Sequence, residues 1–346
     1  MDLFAGCGGL SKGFHDSGRF HTAFAVESDR DAAGTFAANF PGVATRIDLI
    51  QEVDDFPAVD VVVGGPPCQG FSTLNRNGAG LERRKLWRQY VRALDASGAS
   101  AFVMEQVPQL RAASEYRALR TEARRLGFDI DARVLNAADF GVPQTRRRVF
   151  VIGIRGAAPE WPEPTHSDQR LASNLPPWRT FRQAVRGLPR KPNGRNWHRS
   201  RNPRPESLIR YAAVPPDGGN RFDMQRNLED QGLGHLVFPC FRRKPTGTTD
   251  VFGRLWWNKP AVTIRTEFYK PEKGRYLHPV EDRSITVREA ARCMSFGDDF
   301  FFPEEQSMTS VARQIGNAVP PGLAVHLART LAGQLDRLAQ STRRAA

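Results

Sequence analysis

Short apolar runs alternate with amphipathic stretches over the first half of the chain. Met1–Phe4 has the composition of a strand end, and the glycine-rich AGCGGL that follows turns the chain into a helix. Thr22–Glu27 (TAFAVE) predicts a second strand and Asp29–Phe40 a helix. Val59–Gly65 (VDVVVGG) is a continuous β-branched run of the kind expected in a strand covered on both faces. Ala101–Val107 (AFVMEQV) predicts another such strand. A helix from about Ser114 to Leu126 follows, then strands near Ile130–Leu135 and Arg148–Ile154. Strands alternating with helices define an α/β class with a doubly wound, mostly parallel, Rossmann-like sheet.

The pattern breaks near Ala157. From there to Gly253, Pro, Gly, Asn and Arg become frequent and periodicity is lost, which predicts a smaller irregular domain at 157–253 between a first segment, 1–156, and its continuation, 254–346. Order returns at Ala261–Ile264 (AVTI), read as a strand, at Thr286–Met294, read as a short amphipathic helix, and at a last helix beginning near Pro321. That helix is expected to pack back on the first strand, with the final STRRAA frayed.

Composition narrows the class. The 346 residues are 40% hydrophobic and 25% charged, as in ordinary globular proteins, and no apolar run approaches the roughly 18 residues of a membrane span. Met1 is followed at once by Asp2 with no basic-then-apolar leader, so the expected location is the cytoplasm. The four cysteines, Cys7, Cys68, Cys240 and Cys293, have neither zinc-site nor disulfide-framework spacing, and no metal is expected. A net charge of +13, with basic residues and aromatics together in Asn193–Pro205, points to a polyanionic partner.

Candidate chemistry gathers at the predicted strand ends. In DLFAGCGGL, glycines let backbone N–H groups approach a ligand at a helix N-terminus. Glu27 ends the second strand, where an acid can accept both hydroxyls of a ribose. Asp48 ends the next, in reach of a base edge, and Phe4 could stack on that base. Together these describe an adenosine-containing cofactor. Next, VVVGGPPCQGFS presents Cys68 on a rigid Pro66-Pro67 turn just past a strand end, and a thiol so placed is a candidate nucleophile if positive charge lies nearby. In PQTRRRVF, Arg146 and Arg148 point to one face of a strand and Arg147 to the other. Glu105 ends the apolar strand AFVME, where a raised pKa would suit it to donate a proton. The bland readings are a ligand-free turn, an inert cysteine, an exposed basic strand end and a surface acid.

These segments, in this order, resemble the cytosine carbon-5 DNA methyltransferase family. DLFAGCGG resembles its cofactor motif, GGPPCQGFS its nucleophile motif, MEQV its Glu-Asn-Val motif and QTRRR its Gln-x-Arg-x-Arg motif; Gly274–Phe300 and QIGNAVPP (Gln314–Pro321) resemble its carboxyl-terminal motifs. The resemblance implies S-adenosylmethionine as cofactor and duplex DNA as substrate. It implies a cytosine flipped from the helix, Cys68 attacking ring carbon 6, Glu105 at ring nitrogen 3, Arg148 at the exocyclic oxygen, and Arg146 positioning the nucleotide and loop. It places Phe4, Ala5, Gly6, Gly8, Gly9, Leu10 and Pro67 at the cofactor, with Glu27 on the ribose and Asp48 on the adenine, and Asn317 and Val319 closing the pocket. It implies a monomer, a cognate restriction endonuclease as a genetic partner, and target recognition by 157–253, where Arg195, Trp197, His198, Arg199, Arg201, Arg221, Arg242 and Arg243 are candidates for base contacts.

The chain departs from the family in two places. Gln106 stands where the family has Asn, and Met1 falls inside the cofactor motif, which leaves a first strand shortened to a stub and an expectation that the native start lies upstream. The alternatives are an RNA cytosine methyltransferase of the same fold, a catalytically impaired DNA-binding relative, and a thiol oxidoreductase. The last lacks the second cysteine of a Cys-x-x-Cys pair, and the impaired relative would have lost Cys68, Glu105 or the arginines.

Overall fold

The computed structural model describes residues 1–67, 86–243 and 246–345. Cys68 lies outside the described residues. The strands are β1 (Asp2–Leu3), β2 (Phe24–Val26), β3 (Ala44–Arg46), β4 (Val61–Gly64), β5 (Ala101–Gln106), β6 (Phe128–Asn136) and β7 (Arg147–Arg155). The helices are α1 (Gly9–Asp16), α2 (Arg30–Asn39), α3 (Trp87–Ser97), α4 (Ser114–Arg125), α5 (Phe181–Ala184), α6 (Pro205–Ala212), α7 (Arg221–Asp230), α8 (Pro239–Arg243), α9 (Val287–Cys293), α10 (Met308–Asn317) and α11 (Pro321–Ala345). Two compact units result: one of 1–141, 146–166 and 318–346, the other of 142–145 and 167–317.

The first unit is built on a seven-stranded sheet in the order β3-β2-β1-β4-β5-β7-β6. The strands from β3 to β5 are parallel; β7 runs antiparallel between β5 and β6. The central strands read as near-continuous apolar runs because both faces are covered: Val62, Phe102 and Val103 are fully buried. Strand order reverses on either side of β1 and β4, the switch point at which doubly wound sheets bind ligands. Short as it is, β1 pairs with both β2 and β4, and the Met1 amino group donates to the Val61 carbonyl at 2.9 Å.

Close approach explains several glycines here. A Cβ on Gly64 would sit 2.2 Å from the Leu3 carbonyl oxygen, so the β1–β4 contact needs glycine. A Cβ on Gly9 would sit 2.3 Å from the Val319 carbonyl oxygen, which is how the start of α11 docks against α1. The predicted helix at 29–40 forms as Arg30–Asn39, with the Asp29 carboxylate accepting from the Ala32 N–H at 3.1 Å. The end of α11 runs helical through Ala345, beyond the point where fraying was expected.

The second unit holds more regular structure than its composition predicts. Tyr211, Val214, Met224, Leu228, Val237, Phe252 and Leu277 form a core of their own. Ala261–Ile264, expected as a strand, makes only a single bridge, between Gln144 and Ala261. Gln144 is fully buried here, accepting from the Ile264 N–H at 2.8 Å and donating to the Cys293 carbonyl at 3.2 Å. Helix α9 carries a capping box in which Thr286 and Glu289 satisfy each other's backbone N–H groups. No helix among the described residues is long and apolar enough to cross a membrane.

Candidate active site

Strand register lines up three predicted site residues and Gly65. Leu3 pairs with Val26 and with Gly64, and Gly64 pairs with Met104. The next residue of each strand is therefore at the carboxyl edge: Glu27 after β2, Phe4 after β1, Gly65 after β4, and Glu105 in β5. At roughly 4.8 Å per strand spacing, Glu27 and Glu105 stand about 14 Å apart along one edge, with Phe4 and Gly65 between them.

The Glu27 end is a prepared carboxylate. Its Oε2 accepts from the Gly6 N–H and its Oε1 from the Asp29 N–H, both at 2.8 Å. Burial pushes the Glu27 pKa up, while these N–H groups act against that rise. Gly6 and Phe4 both have positive φ, 58° each, and a Cβ at Gly6 would meet nothing within 4 Å. The turn thus leaves open space directly above the backbone N–H that holds Glu27. Gly8 caps α1 in a left-handed conformation, where a Cβ would run into Phe40 and Phe36. Ala5 and Leu10 are buried, and the Ala5 N–H donates to the Val26 carbonyl at 3.1 Å. Past β3, Asp48 pairs with Arg46 at 3.2 Å, and its neighbours Ile47 and Leu49 are 49% and 52% exposed. An open floor, a fixed carboxylate and exposed apolar side chains beside a second acid fit a nucleoside. Cys7, by contrast, is buried and its thiol is pushed up to about 12 by desolvation, which leaves it un-ionised.

The Glu105 end is a partly buried acid, its side chain 12% exposed and its Oε1 buried, beside two arginines. Desolvation raises its pKa, opposed by Arg148 and then Arg146. The Arg148 Nε lies 3.0 Å from Glu105 Oε1, off the line of its N–H, so this contact is an ion pair and Oε1 keeps no aligned hydrogen bond. Arg146 is buried, Arg147 is exposed, and Arg148 also donates to the Arg147 carbonyl at 2.8 Å. On the other side, a Cβ on Gly65 would sit 3.2 Å from Glu105 Oε2. Glycine therefore lets the β4 end approach the carboxyl group.

Gln106 was left open by the sequence, and its structural role is plain. The side chain is buried; its Nε2 donates to the Pro66 carbonyl and its Oε1 accepts from the Val107 N–H, both at 2.8 Å. This one amide ties the end of β5 to the Pro66-Pro67 turn that leads to Cys68. Pro67 itself is half-buried. Val319 lies against Gly9 in the first unit, while Asn317 is exposed at the end of α10 in the second.

Three of the residues expected to contact bases are occupied inside the second unit. Trp197 is buried with its Nε1 donating to the Phe302 carbonyl at 2.8 Å, and His198 is buried between the Pro189 carbonyl (2.7 Å) and the Thr286 hydroxyl (3.0 Å). Arg221 is buried, bonded to the Thr248 carbonyl at 2.9 Å and stacked on Phe222 and Phe241. All three are buried inside the unit, and the ring nitrogens of Trp197 and His198 are taken up by these bonds. Arg199 is half-buried and stacks on Trp197 at 3.7 Å. Arg195, Arg201, Arg242 and Arg243 are exposed, Arg201 paired with Glu272 at 3.3 Å.

A switch-point site with a nucleoside-type pocket at one end and a partly buried acid at the other is that of a nucleotide-dependent group-transfer enzyme. Comparison with known proteins makes it specific. The C-5 cytosine-specific DNA methylase family matches residues 1–333. The chain is 34% identical over 350 residues to the Type II methyltransferase M1.HphI of Haemophilus parahaemolyticus, covering 96% of this chain and 86% of that protein. It is 33% identical to the Type II methyltransferase M.NgoFVII of Neisseria gonorrhoeae, covering 96% and 85%. Among solved structures, a prophage-encoded E. coli chain assigned as a DNA modification methyltransferase superposes with a TM-score of 0.66 at 26% identity, covering 97% of this chain and 98% of that one. A Spodoptera frugiperda DNMT2 structure, 16% identical with a TM-score of 0.63, shares the fold. The chain belongs to the C-5 cytosine-specific DNA methylase family, and it is an S-adenosylmethionine-dependent DNA cytosine-5 methyltransferase.

Proposed function

We propose that this enzyme methylates a flipped cytosine through a covalent adduct on Cys68. The observation that carries the reading is the Glu105 cluster. A partly buried carboxyl with one unaligned oxygen stands against Arg148, beside the Gly65 backbone, and one side-chain amide links its strand to the turn entering Cys68.

In this reading the Cys68 thiolate adds to ring carbon 6, forming a C–S bond, and the displaced electron pair moves toward ring nitrogen 3. Glu105, whose pKa burial raises against the pull of Arg148 and Arg146, donates its proton there. Arg148 holds the exocyclic oxygen of the base, and Arg146 positions the nucleotide and the loop. S-adenosylmethionine supplies an electrophilic methyl group on a sulfonium sulfur. Carbon 5, made electron-rich by the addition, would take that methyl and leave the cofactor as a neutral thioether; loss of the carbon-5 proton to a base would then break the C–S bond and free Cys68 as the nitrogen-3 proton returns to Glu105.

Glu27 accepts the ribose hydroxyls and Asp48 the adenine edge, with Phe4, Ala5, Gly6, Gly8, Gly9, Leu10, Pro67, Asn317 and Val319 forming the rest of the cofactor pocket. Residues 157–253 read the target, with Arg195, Arg201, Arg242 and Arg243 as the arginines exposed to do so. The Type II relatives support a restriction-modification setting with a cognate endonuclease, and the enzyme acts as a monomer. The test is tritium release from duplex DNA carrying 5-tritiated cytosine. Release should require S-adenosylmethionine and vanish in Cys68→Ala; release that survives Cys68→Ala would sink the covalent reading.

A further inference from the structure

The arginines of the segment after β5 form a surface that the catalytic site does not use. Arg111 lies in the short helical turn Pro108–Ala112, five residues after Gln106 ends β5. Arg117, Arg120 and Arg124 follow on α4 and are all exposed. Their spacing, i, i+3 and i+7, puts them within about 60° of one another on the helix. The opposite side buries Leu119 and Ala123 against the sheet.

These charges are not neutralised at home. Arg125 pairs with Glu122 at 3.0 Å, but no carboxylate among the described residues pairs with Arg117, Arg120 or Arg124. Like charges at i, i+3 and i, i+4 destabilise a helix by themselves, a cost that Arg124, placed in the last turn at the negative end of the helix dipole, partly offsets. Arg120, Arg111 and Arg124 lie close enough to Tyr116 to counter the rise that burial and the Asp131 carboxylate give its hydroxyl pKa, so these three arginines gather around one side chain. From Arg117 to Arg124 the helix advances about 10.5 Å. A DNA strand carries a phosphate every ~3.4 Å of axis, so three guanidiniums meet a run of about three phosphates.

We infer that this face of α4 binds the phosphate backbone of duplex DNA flanking the target, as a sequence-independent contact separate from target recognition. The occupant is DNA, because the enzyme's established substrate supplies that polyanion at the same molecule. The inference rests on the DNA activity and not on the Cys68 mechanism.

The test compares the full-length enzyme with the triple variant R117Q/R120Q/R124Q and with the charge-preserving R117K/R120K/R124K. Glutamine and lysine both suit helices, and thermal unfolding checks each fold. Binding to target-free duplexes of about 14 and about 40 base pairs is measured against salt. On the long duplex, the glutamine variant should lower the slope of log K against log salt by about 2.7, at about 0.9 per phosphate contact, while the lysine variant keeps it. Methyl transfer on a short target duplex should be unchanged. An unchanged slope on the long duplex overturns the proposal. So does an equal loss from the lysine variant, or an equal loss of methyl transfer on the short duplex. Loss of binding only to anionic phosphatidylglycerol vesicles, with the DNA slope intact, would assign the face to a membrane and overturn it as well.

Discussion

The Gln106 amide offers the sharpest test of how the fold sets the catalytic turn. In Gln106→Met the side chain keeps its length but becomes apolar, and both 2.8 Å bonds are lost. The Pro66 carbonyl is buried and the Val107 N–H half-buried, so neither is freely rescued by water. Each bond contributes about 1 kcal/mol net, and stranding a buried partner costs about 1–3 kcal/mol. The expected loss is about 2–4 kcal/mol of stability in the first unit. Gln106→Asn, one methylene shorter, can hold only one of the two bonds on the present backbone and should fall between, at about 1–2 kcal/mol. Denaturant unfolding followed by tryptophan fluorescence reads the loss. The same variants should lower kcat by on the order of tenfold to a hundredfold, since a misplaced turn would carry the proposed nucleophile, Cys68, with it, and leave KM for S-adenosylmethionine unchanged. A Met variant as stable and as active as the parent would refute the bracing role. A KM effect without a kcat effect would move Gln106 to the cofactor side.

Three further outcomes follow from the geometry. Gly9→Ala puts a Cβ 2.3 Å from the Val319 carbonyl oxygen and should destabilise by about 1–3 kcal/mol, read by thermal unfolding. Glu105 has its pKa raised by burial, so kcat should fall as pH rises through that raised pKa; Arg148→Gln removes a charge that lowers it and should move this limb to higher pH. A limb unmoved in Arg148→Gln would count against Glu105 as the acid. Asp2 is buried and raised to about 7 by desolvation, so the folded chain binds a proton that the unfolded chain releases near 3.9. Its contribution is full below that lower value and is lost as pH rises toward about 7, a decline of a few kcal/mol at most that Asp2→Asn should flatten in unfolding measurements across pH.

How much of this was legible in the sequence depended on the range of the contacts. The apolar run ending at Gly65 and the strand ending at Glu105 announce themselves because burial on both faces imposes a local composition. Asp29 announces its helix because capping is local too. Residues 157–253 hid their helices for the opposite reason. Helix α7 buries only Arg221, Met224 and Leu228 among ten residues, too thin a stripe to register as a period. Trp197 and His198 sit in a basic, polar run and read as exposed; their burial depends on the Phe302 carbonyl and the Thr286 hydroxyl, 105 and 88 residues away. Gln106 is the same lesson at the site. Its identity marks a departure from the family pattern, but its role depends on a carbonyl 40 residues back. Ala261–Ile264 has strand composition without a strand, because Gln144 and Ala261 supply only one bridge.

The covalent role of Cys68 is the central claim, and trapping tests it most directly. The enzyme is incubated with S-adenosylmethionine and duplex DNA carrying 5-fluorocytosine in many sequence contexts, then denatured. Fluorine cannot leave carbon 5 as the proton does, so the account predicts a denaturation-resistant protein–DNA adduct that forms with the parent enzyme, carries its peptide attachment at Cys68, and is absent in Cys68→Ala. A folded, cofactor-binding enzyme that methylates unsubstituted DNA yet forms no such adduct would contradict it.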